Sequence, residues 1–415
     1  MQQYDLVIVG GGLAGASLAC ALADTPLRIA VVEAVPFDSA AQPSYDERTL
    51  ALTWSSRRIF EGIGVWDSIA AREAEPILGI HISNRGHAGI SRLDHRQAGT
   101  EALGYVVPTR VLGQALQEKL AASSRIELLC PAAVTAVTTS ATGATVTIEQ
   151  QGEEIAAGAR LVAIADGGRS PVLAELGMKP EMRLYDQSVL LTIVSVDRDH
   201  HGIAYERFTE HGPLALLPLA DRRYAVVWTL SQKEIEAHKA QPNDVFLADL
   251  QRTFGDRAGR FSRPGNRNIY PLALSHLKQP TGERLVVIGN AAHTVHPVAG
   301  QGFNLGLRDV AALAEVISDS DLQSTDIGSA IALERYAGWR RWDTFQVTTF
   351  THGLIRIFSN EFPPLALARN LGLGGIDLLP PVKRFLLRRT MGMTGRQTRL
   401  GLGLPLRADT EANTT

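Results

Sequence analysis

Two glycine-rich segments, far apart in the chain, have the residue types and spacing of ligand-binding loops. The first, Gly10 to Gly15, follows the apolar run Tyr4–Val9 and matches the pattern Gly-x-Gly-x-x-Gly. The second, Gly289 to Gly306, follows the apolar run Leu285–Ile288 and leads into a helical pattern that begins at Phe303. A strand, a glycine-rich turn and a helix together direct backbone N–H groups and the positive end of the helix towards an anionic or electron-rich ligand.

The first segment has the layout of a dinucleotide-binding βαβ unit. A helical stretch separates it from Leu27–Val32, a second apolar strand that ends at Glu33. In such a unit Gly10 makes the tight turn, Gly12 lets the backbone approach a pyrophosphate, and Gly15 lets helix and strand pack closely. The acid accepts hydrogen bonds from ribose hydroxyls. We therefore predict that a dinucleotide binds at these residues.

Two arginines and an Asp-Gly pair are further candidates for contacts with such a ligand. Arg110 begins a predicted helix, and Arg48 precedes another that ends near Gly62. An arginine is usually a solvated surface residue, but beside a pyrophosphate site it is suited to a phosphate or ribose contact. Asp166-Gly167 closes the apolar strand Arg160–Ala165. Taken alone, that pair is equally typical of an ordinary turn.

A second region of the chain predicts a separate, antiparallel sheet. Apolar runs follow one another there with no helix between them. They are Val189–Val196, Gly202–Phe208, Pro213–Pro218 and Tyr224–Leu230. From Leu274 onward the chain is expected to return to the first domain.

Length and composition limit the classes of function. At about 150 residues per domain, 415 residues suggest two or three domains. The net charge of −2 argues against a nucleic-acid partner. Cys20 and Cys130 form neither a Cys-x-x-Cys pair nor a metal-ligand spacing, so we predict no metal site and a reducing, cytoplasmic compartment. The uncharged stretch Leu6–Ala23 is better explained by the nucleotide-binding turn than by a membrane span or a signal peptide.

Together these segments resemble the FAD-dependent aromatic hydroxylases with the p-hydroxybenzoate hydroxylase fold, and within them the ubiquinone-biosynthesis branch. The stretches that carry the closer likeness are Ser83–Gly89, Glu206–Ala215 and Gly289–Gly306. The wider family usually has Gly-Asp where this chain has Gly289-Asn290. An asparagine amide oxygen can accept the same hydrogen bond from the ribityl chain of the flavin.

The resemblance implies an α/β fold with a Rossmann-like FAD-binding domain, an antiparallel β-sheet substrate domain and a C-terminal helical region. The expected FAD-binding domain is discontinuous and comprises residues 1–75, 100–182 and 270–345. The substrate domain comprises residues 76–99 and 183–269, and the helical tail residues 346–415.

The resemblance also implies roles for individual residues. The expected cofactor-binding positions are Gly10, Gly12, Gly15, Glu33, Arg48, Arg110, Asp166, Gly167, Asn290, Gly302 and Asn304. The expected catalytic environment of the flavin, with no obligatory side-chain base, is Pro297, Gly300, Gln301 and Gly302. Candidates for the substrate pocket are Tyr205, Arg207, His211 and Trp228, for which packing is an equal alternative.

The implied reaction is hydroxylation of 2-polyprenyl-6-methoxyphenol to its 1,4-benzoquinol, with NAD(P)H as electron donor and O₂, through a flavin C4a-hydroperoxide. A phenol hydroxyl activates the ortho and para carbons, and both ortho carbons of this compound are substituted. NAD(P)H is expected to visit and leave, because the chain has no second Gly-x-Gly-x-x-Gly. The alternatives are hydroxylation at another ring position and a non-catalytic flavoprotein that associates with other ubiquinone-biosynthesis proteins.

The C-terminal region is basic. Between Thr351 and Leu404 eight lysines and arginines face two acids, which gives a local charge of 8 − 2 = +6 in a chain of net charge −2. Apolar residues interleave with the basic ones. This pattern predicts either a packing tail with solvated arginines or a helical surface that rests on anionic lipid, peripheral to the inner face of a membrane.

Overall fold

The computed structural model describes residues 1–37, 48–86, 89–168, 170–210, 212–294, 301–358 and 379–407. The strands are β1 (Gln2–Val9), β2 (Ile29–Val32), β3 (Thr49–Thr53), β4 (Glu75–Ile77), β5 (Gly79–Asn84), β6 (Ile90–Asp94), β7 (Gly104–Pro108), β8 (Ile126–Leu129), β9 (Ala133–Ser140), β10 (Gly143–Gln150), β11 (Glu153–Ile164), β12 (Glu181–Val196), β13 (Ile203–Thr209), β14 (Gly212–Leu219), β15 (Arg223–Ser231), β16 (Phe261–Ser262), β17 (Asn268–His276), β18 (Thr281–Gly282), β19 (Leu285–Val287) and β20 (His293–Thr294). The helices are α1 (Leu13–Ala21), α2 (Trp54–Ile63), α3 (Trp66–Ala70), α4 (His95–Ala98), α5 (Thr109–Ala122), α6 (Pro171–Glu175), α7 (Gln232–Ala240), α8 (Asn243–Phe254), α9 (Gln301–Leu322), α10 (Ala330–Phe358) and α11 (Pro380–Thr390).

Parallel strands form the centre of the first sheet, and their carboxyl ends lie side by side. The sheet has eight strands, with the central order β19-β11-β1-β2-β8. Val9 pairs with Val32 on one side and with Ile164 on the other. Ile164 pairs in turn with Val287. The segments that follow these four residues therefore emerge at one edge, where ligands bind in sheets of this kind.

Both faces of this sheet are covered, which explains why its strands are nearly continuous apolar runs. Leu6 and Ile8 are fully buried against α1, α5 and α9. Val7 and Val9 point to the other face and pack with side chains of β10 and α6. Alternate side chains of β1 therefore belong to two different hydrophobic cores, one on each face of the sheet.

The second sheet has nine strands, eight of them in the order β20-β17-β12-β15-β14-β13-β5-β6, while β16 pairs with β12. The four runs predicted to be antiparallel form β12 to β15 and pair antiparallel within this sheet. One contact differs from the prediction, because β13 and β5 are parallel. β17 also pairs with β12 as far as His276, beyond the position where the sequence suggested a return to the first domain.

Two faces of the second sheet have different neighbours. Its outer face carries Leu214, Leu216 and Trp228, which pack against Phe246 of α8. Its inner face carries Ala204 and Ala225, which cluster with Val106 of β7 and Leu387 of α11. The inner face therefore packs against β7 and α11 rather than against α8. The mixed α/β architecture and the helical C-terminal region confirm the predicted fold class.

Two local elements were not predicted. A strand, β3, separates Arg48 from α2, because Thr49–Thr53 pairs antiparallel with β7. Helix α7 was not predicted, although Ser231 and Glu234 form a capping box at its start. That motif was readable in the sequence as a helix signal. None of the helices in the described ranges is long and apolar enough to cross a membrane.

A buried carboxylate ties the second loop to the two long helices. Asp309 of α9 accepts hydrogen bonds from the backbone N–H of Gly289 (3.1 Å), from His293 Nε2 (2.5 Å) and from Arg340 Nε of α10 (2.7 Å). Burial by itself raises the pKa of Asp309, but His293 and Arg340 outweigh burial and hold the pKa at about 2. The carboxylate is therefore ionised in the folded protein.

We expect Asp309→Asn to destabilise the protein strongly. The change leaves Arg340 buried without its charge partner on α9, and breaking a buried ion pair costs roughly 3–5 kcal/mol. Urea unfolding should show this loss, whereas Glu127→Gln, which removes an exposed pair with Arg28, should cost about 1 kcal/mol or less. Because the pKa of Asp309 is lowered on folding, its contribution is present above about pH 4 and is lost as the pH falls through the folded-state value. A loss for Asp309→Asn no larger than for Glu127→Gln would contradict this role.

Candidate functional site

The first loop begins where β1 ends, and its glycines are required by close backbone contacts. Gly10 has φ +98°, and a Cβ there would lie 2.7 Å from Cα of Asp166. A Cβ on Gly15 would lie 1.9 Å from the carbonyl oxygen of Gly10. Gly12 precedes α1 and is partly exposed. The loop therefore presents bare backbone at the start of a helix, as the spacing predicted.

Glu33, at the end of β2, is held by two backbone hydrogen bonds. Its Oε2 accepts from the N–H of Gly11 at 2.7 Å, and its Oε1 accepts from the N–H of Val35 at 2.9 Å. The residue is 9% exposed. Each carboxylate oxygen can accept more than one hydrogen bond. Glu33 can thus brace the first loop and still accept from a ligand hydroxyl.

Asp166 lies against Gly10 and has the properties of a ligand-facing carboxyl. Burial raises its pKa to about 6, against the lowering effect of a hydrogen bond with Ser170. Its Oδ1 is buried and has no hydrogen-bond partner among the residues that the structure describes. A buried acceptor of this kind costs free energy unless a donor reaches it. Gly167 follows with φ +91°, so the chain turns away at once.

The second loop begins where β19 ends. Gly289 has φ +62°, and a Cβ on Gly306 of α9 would lie 3.0 Å from Cα of Gly289, so helix and turn are in close contact. The side chain of Asn290 is exposed at this edge. Gly302 is in the first turn of α9, and Gln301 begins that helix. Pro297 and Gly300 lie outside the described residues.

The Asn304 side chain makes hydrogen bonds within the protein that the sequence did not predict. Its Oδ1 accepts from the N–H of Thr53 (2.9 Å) and from Ser56 Oγ (2.6 Å), while its Nδ2 donates to the carbonyl of Ala51 (2.8 Å). The residue is 2% exposed. These bonds hold the start of α9 against β3 and α2. The predicted direct contact of the Asn304 side chain with a cofactor stays a prediction.

The two candidate arginines lie on neighbouring segments. The carbonyl of Arg48 accepts from the N–H of Thr109 at 2.8 Å, and Thr109 directly precedes Arg110. The Arg48 guanidinium lies over the ring of Tyr270, 5.5 Å from its centroid. The Arg110 guanidinium pairs with Glu73. Arg48 therefore stands between the first domain and the second sheet, whereas Arg110 is engaged in a partly exposed ion pair.

The candidate substrate residues lie on the outer face of the second sheet. The Tyr205 ring packs edge to face against Phe254 of α8 at 5.3 Å, and Arg207 Nε donates to the carbonyl of Thr253 at 3.2 Å. Trp228 is 3% exposed and packs with the rings of α7 and α8. These contacts favour packing over substrate binding for all three. His211 lies outside the described residues.

Sequence comparisons identify the relatives of this chain. Residues 3–321 match the FAD binding domain family. Ubiquinone hydroxylase UbiL of Rhodospirillum rubrum is 37% identical over 406 residues, which cover 97% of this chain and 93% of that protein. The 3-demethoxyubiquinol 3-hydroxylase of Escherichia coli is 32% identical over 395 residues, which cover 94% of this chain and 99% of that protein.

A structural comparison agrees on the fold. The crystal structure of p-nitrophenol 4-monooxygenase PnpA from Pseudomonas putida superposes with a TM-score of 0.80 over 96% of this chain and 100% of that chain, at 18% identity. At that identity the likeness concerns the fold alone. The predicted Rossmann-like domain with an attached substrate sheet is thereby confirmed.

FAD fits the edge that these residues form. The backbone of Gly12 is partly exposed at the start of α1, where a pyrophosphate would lie, and the buried Oδ1 of Asp166 offers an acceptor for a hydroxyl of the cofactor. The second loop and α9 stand at the same edge, so that one elongated ligand can reach both. The individual contacts assigned to the site residues stay predictions.

Gly10→Ala should weaken FAD binding about tenfold or more. A side chain at positive φ costs roughly 1–2 kcal/mol, and the added Cβ collides with the backbone of Asp166, so the loop must move. Flavin content and a fluorescence titration of the apoprotein would measure the change. Gly338→Ala is the matched control, because a Cβ there meets nothing within 4 Å. Wild-type affinity in Gly10→Ala would remove the first loop from the site.

Proposed function

Because this chain belongs to the FAD binding domain family of flavin-dependent aromatic hydroxylases, with FAD as cofactor and NAD(P)H as electron donor, we propose that it hydroxylates a polyprenylphenol in ubiquinone biosynthesis. The proposed reaction is the conversion of 2-polyprenyl-6-methoxyphenol to 2-polyprenyl-6-methoxy-1,4-benzoquinol. The observation that carries the proposal is the likeness to ubiquinone hydroxylase UbiL over 97% of the chain.

The residues of the chain bind and orient, while the bound FAD supplies the reduction by NAD(P)H and the activation of O₂. Glu33 and the first loop would hold the adenosine half, with Asp166 beside them. The second loop and α9 would hold the flavin half, where helical N–H groups stabilise electron-rich atoms. The inner face of the second sheet, whose Tyr270 contacts Arg48, would hold the phenol.

The para position follows from the chemistry of the substrate. The hydroxyl group of a phenol sends electron density to the ortho and para carbons. In 2-polyprenyl-6-methoxyphenol the prenyl and methoxy groups occupy both ortho carbons. Only the para carbon is both activated and unsubstituted, so an electrophilic oxygen is transferred there.

A neighbouring ring position is the second candidate. The Escherichia coli relative is a 3-demethoxyubiquinol 3-hydroxylase, and it is 32% identical over 94% of this chain. Hydroxylation at that position would require the ring to be turned in the same pocket. The two candidates differ in the precursor that each consumes.

Removal of the protein should cause the methoxylated polyprenylphenol to accumulate. The block lies at the hydroxylation, so the substrate of that step builds up while ubiquinone falls. Mass spectrometry of lipid extracts from cells with and without the protein would identify the precursor. As a control, the chain supplied in trans should restore ubiquinone. Accumulation of an unmethoxylated polyprenylphenol or of demethoxyubiquinol would instead assign the chain to another ring position.

Helix α11 has the composition of a surface that contacts an anionic membrane, which we propose as the place of substrate delivery. Leu387 is buried against the core, while Val382 and Phe385 are exposed, Phe385 at 60%. The exposed Arg384 and Arg388 flank these apolar side chains. Basic residues beside inserted apolar side chains attract anionic lipid. A long prenyl chain must stay in the bilayer, so an enzyme docked there could reach the phenol ring.

Other arginines of the C-terminal region, unlike the exposed Arg384 and Arg388, make contacts within the protein. Arg389 donates to the carbonyl of Gln346 at 2.7 Å, and Arg396 lies over the ring of Trp339. Arg399 pairs with Glu315 and Asp319. These three arginines hold the C-terminal segment in place. The side chains of Arg356 and Arg369 lie outside the described part of the chain.

Arg384→Gln combined with Arg388→Gln should weaken binding to anionic vesicles about tenfold or more, since each basic residue contributes on the order of 1 kcal/mol. FAD content and turnover of short-chain phenols should not change, but turnover of long-chain phenols in vesicles should fall. Co-sedimentation with phosphatidylglycerol vesicles measures binding. The matched control is Arg252→Gln with Arg260→Gln, which removes two exposed charges near α8. Unchanged sedimentation in the first variant would show that α11 is not a membrane surface.

A further inference from the structure

One row of side chains crosses the inner face of the second sheet, and its central member is a carboxyl group. Glu206 of β13 pairs with Ile82 of β5 on one side and with Ala215 of β14 on the other. Ala215 pairs in turn with Val227. Directly paired residues share a face. Glu206 therefore lies on the inner face, in a row of apolar residues.

Among the residues that the structure describes, no charged side chain offsets the burial of the Glu206 carboxyl group. Tyr205 and Arg207, next to it on β13, project to the outer face and contact α8. Arg48 approaches the inner face over Tyr270, but β17 is four strands from β13, roughly 19 Å at 4.8 Å per strand. Oε1 of Glu206 is buried without a hydrogen-bond partner among the described residues.

Other buried polar atoms on the same face also have no partner in the described ranges. They are Oγ of Ser91, which pairs with Ile82, and Nδ2 of Asn84, which pairs with Phe208. Ser91 is 0% and Asn84 5% exposed. Each unpaired buried group costs roughly 1–3 kcal/mol, so a ligand that pairs with them gains that free energy. The face combines one acceptor with nearby donors, which matches a phenol that carries a second oxygen substituent.

We propose that Glu206 accepts the hydrogen bond and then the proton of the substrate's phenol hydroxyl. The inference rests on the proposed function, since it assigns a residue to the phenol that the function requires. Glu206 would be a catalytic residue, because its carboxylate touches the reacting molecule. Neither composition nor motif spacing pointed to it.

The proton transfer balances within the reaction. The O–H bond of the phenol breaks and an O–H bond forms on Glu206, so the oxygen lone pair is free to move into the ring. The para carbon becomes more nucleophilic towards the oxidant that the flavin and O₂ supply. After the oxygen is transferred, the para carbon bears both the new hydroxyl and its original hydrogen. The C–H bond then breaks and its proton passes to the oxygen that the oxidant retains, while the proton on Glu206 returns to the phenol oxygen, so the ring regains its aromaticity and the carboxylate is restored.

The acidity of Glu206 suits this transfer. Burial raises its pKa to about 7, from an ordinary value of 4.5. A phenol has a pKa of about 10, and general-base catalysis is more effective when the base is not much weaker than the group that it deprotonates. The ionised form of Glu206 prevails above its pKa, so activity that depends on it rises with pH through that value.

The test compares Glu206→Gln and Glu206→Asp with the wild-type holoenzyme, using 2-methoxy-6-prenylphenol with a short prenyl chain. We expect Glu206→Gln to keep its FAD and to lower kcat near pH 7 on the order of 100-fold. Its kcat should continue to rise towards about pH 10, where the phenol ionises by itself, whereas the wild-type kcat levels off. Glu206→Asp should restore part of the rate. Glu210→Gln, an exposed position on the same hairpin, should match the wild type.

A binding measurement separates this inference from the proposed function. The wild type should bind the phenol roughly tenfold more tightly than its O-methyl ether, and Glu206→Leu should lose that preference. A kcat of Glu206→Gln within threefold of the wild type at every pH overturns the role of Glu206 and leaves the function intact. If the wild type binds the phenol but does not hydroxylate it, the proposed function is wrong. In that case, a preference for the phenol over the ether that is lost in Glu206→Leu still supports the hydrogen bond to Glu206, and no such preference overturns it. A wild type that binds neither compound overturns both.

Discussion

The geometry of the site depends on one buried carboxylate. Asp309 joins the turn at Gly289 and the side chain of His293 to α9, and through Arg340 it joins α9 to α10. A buried charge is costly unless partners replace the lost water, and here two side chains and one backbone N–H do so. Charged hydrogen bonds thus hold the turn at Gly289 against α9, in addition to the apolar packing of Ile288 with Leu307 and Val310. Both glycine-rich loops can then stand at one edge of the parallel sheet.

What the sequence could predict was local. Gly15 is required by a contact with Gly10 within one βαβ unit, so the glycine spacing, together with the second strand and Glu33, could predict the first loop. The ties that hold the loops could not be predicted in this way. Asp309 meets Arg340 on another helix, and Asn304 bonds to Ala51 of β3, far away in the chain. Contacts between residues so far apart in the chain produce no periodic pattern in the sequence.

The sequence left substrate binding and packing as equal alternatives for Tyr205, Arg207 and Trp228 for a different reason. Alternation along β13 shows that Tyr205 and Glu206 lie on opposite faces, but it does not say which face is covered. Aromatic and basic side chains suggested a pocket at Tyr205 and Arg207. Helix α7, which was not predicted, covers that face with Ile235, and α8 covers it with Phe246 and Phe254. Burial of those apolar helix faces decides the orientation of the sheet, and only the folded chain reveals it.

Buried polar atoms that have hydrogen-bond partners within this protein stabilise the fold, whereas buried polar atoms without such partners are available to a ligand. Asn304 uses its amide oxygen and nitrogen within the protein, so it stabilises the fold whether or not a ligand is bound. Asp166 and Glu206 each retain a buried oxygen that is unpaired in the described part of the chain. Such atoms destabilise the ligand-free protein, and a ligand that pairs with them binds the folded state alone. The unpaired oxygens therefore lower the stability of the ligand-free protein and raise its affinity for the cofactor and the substrate.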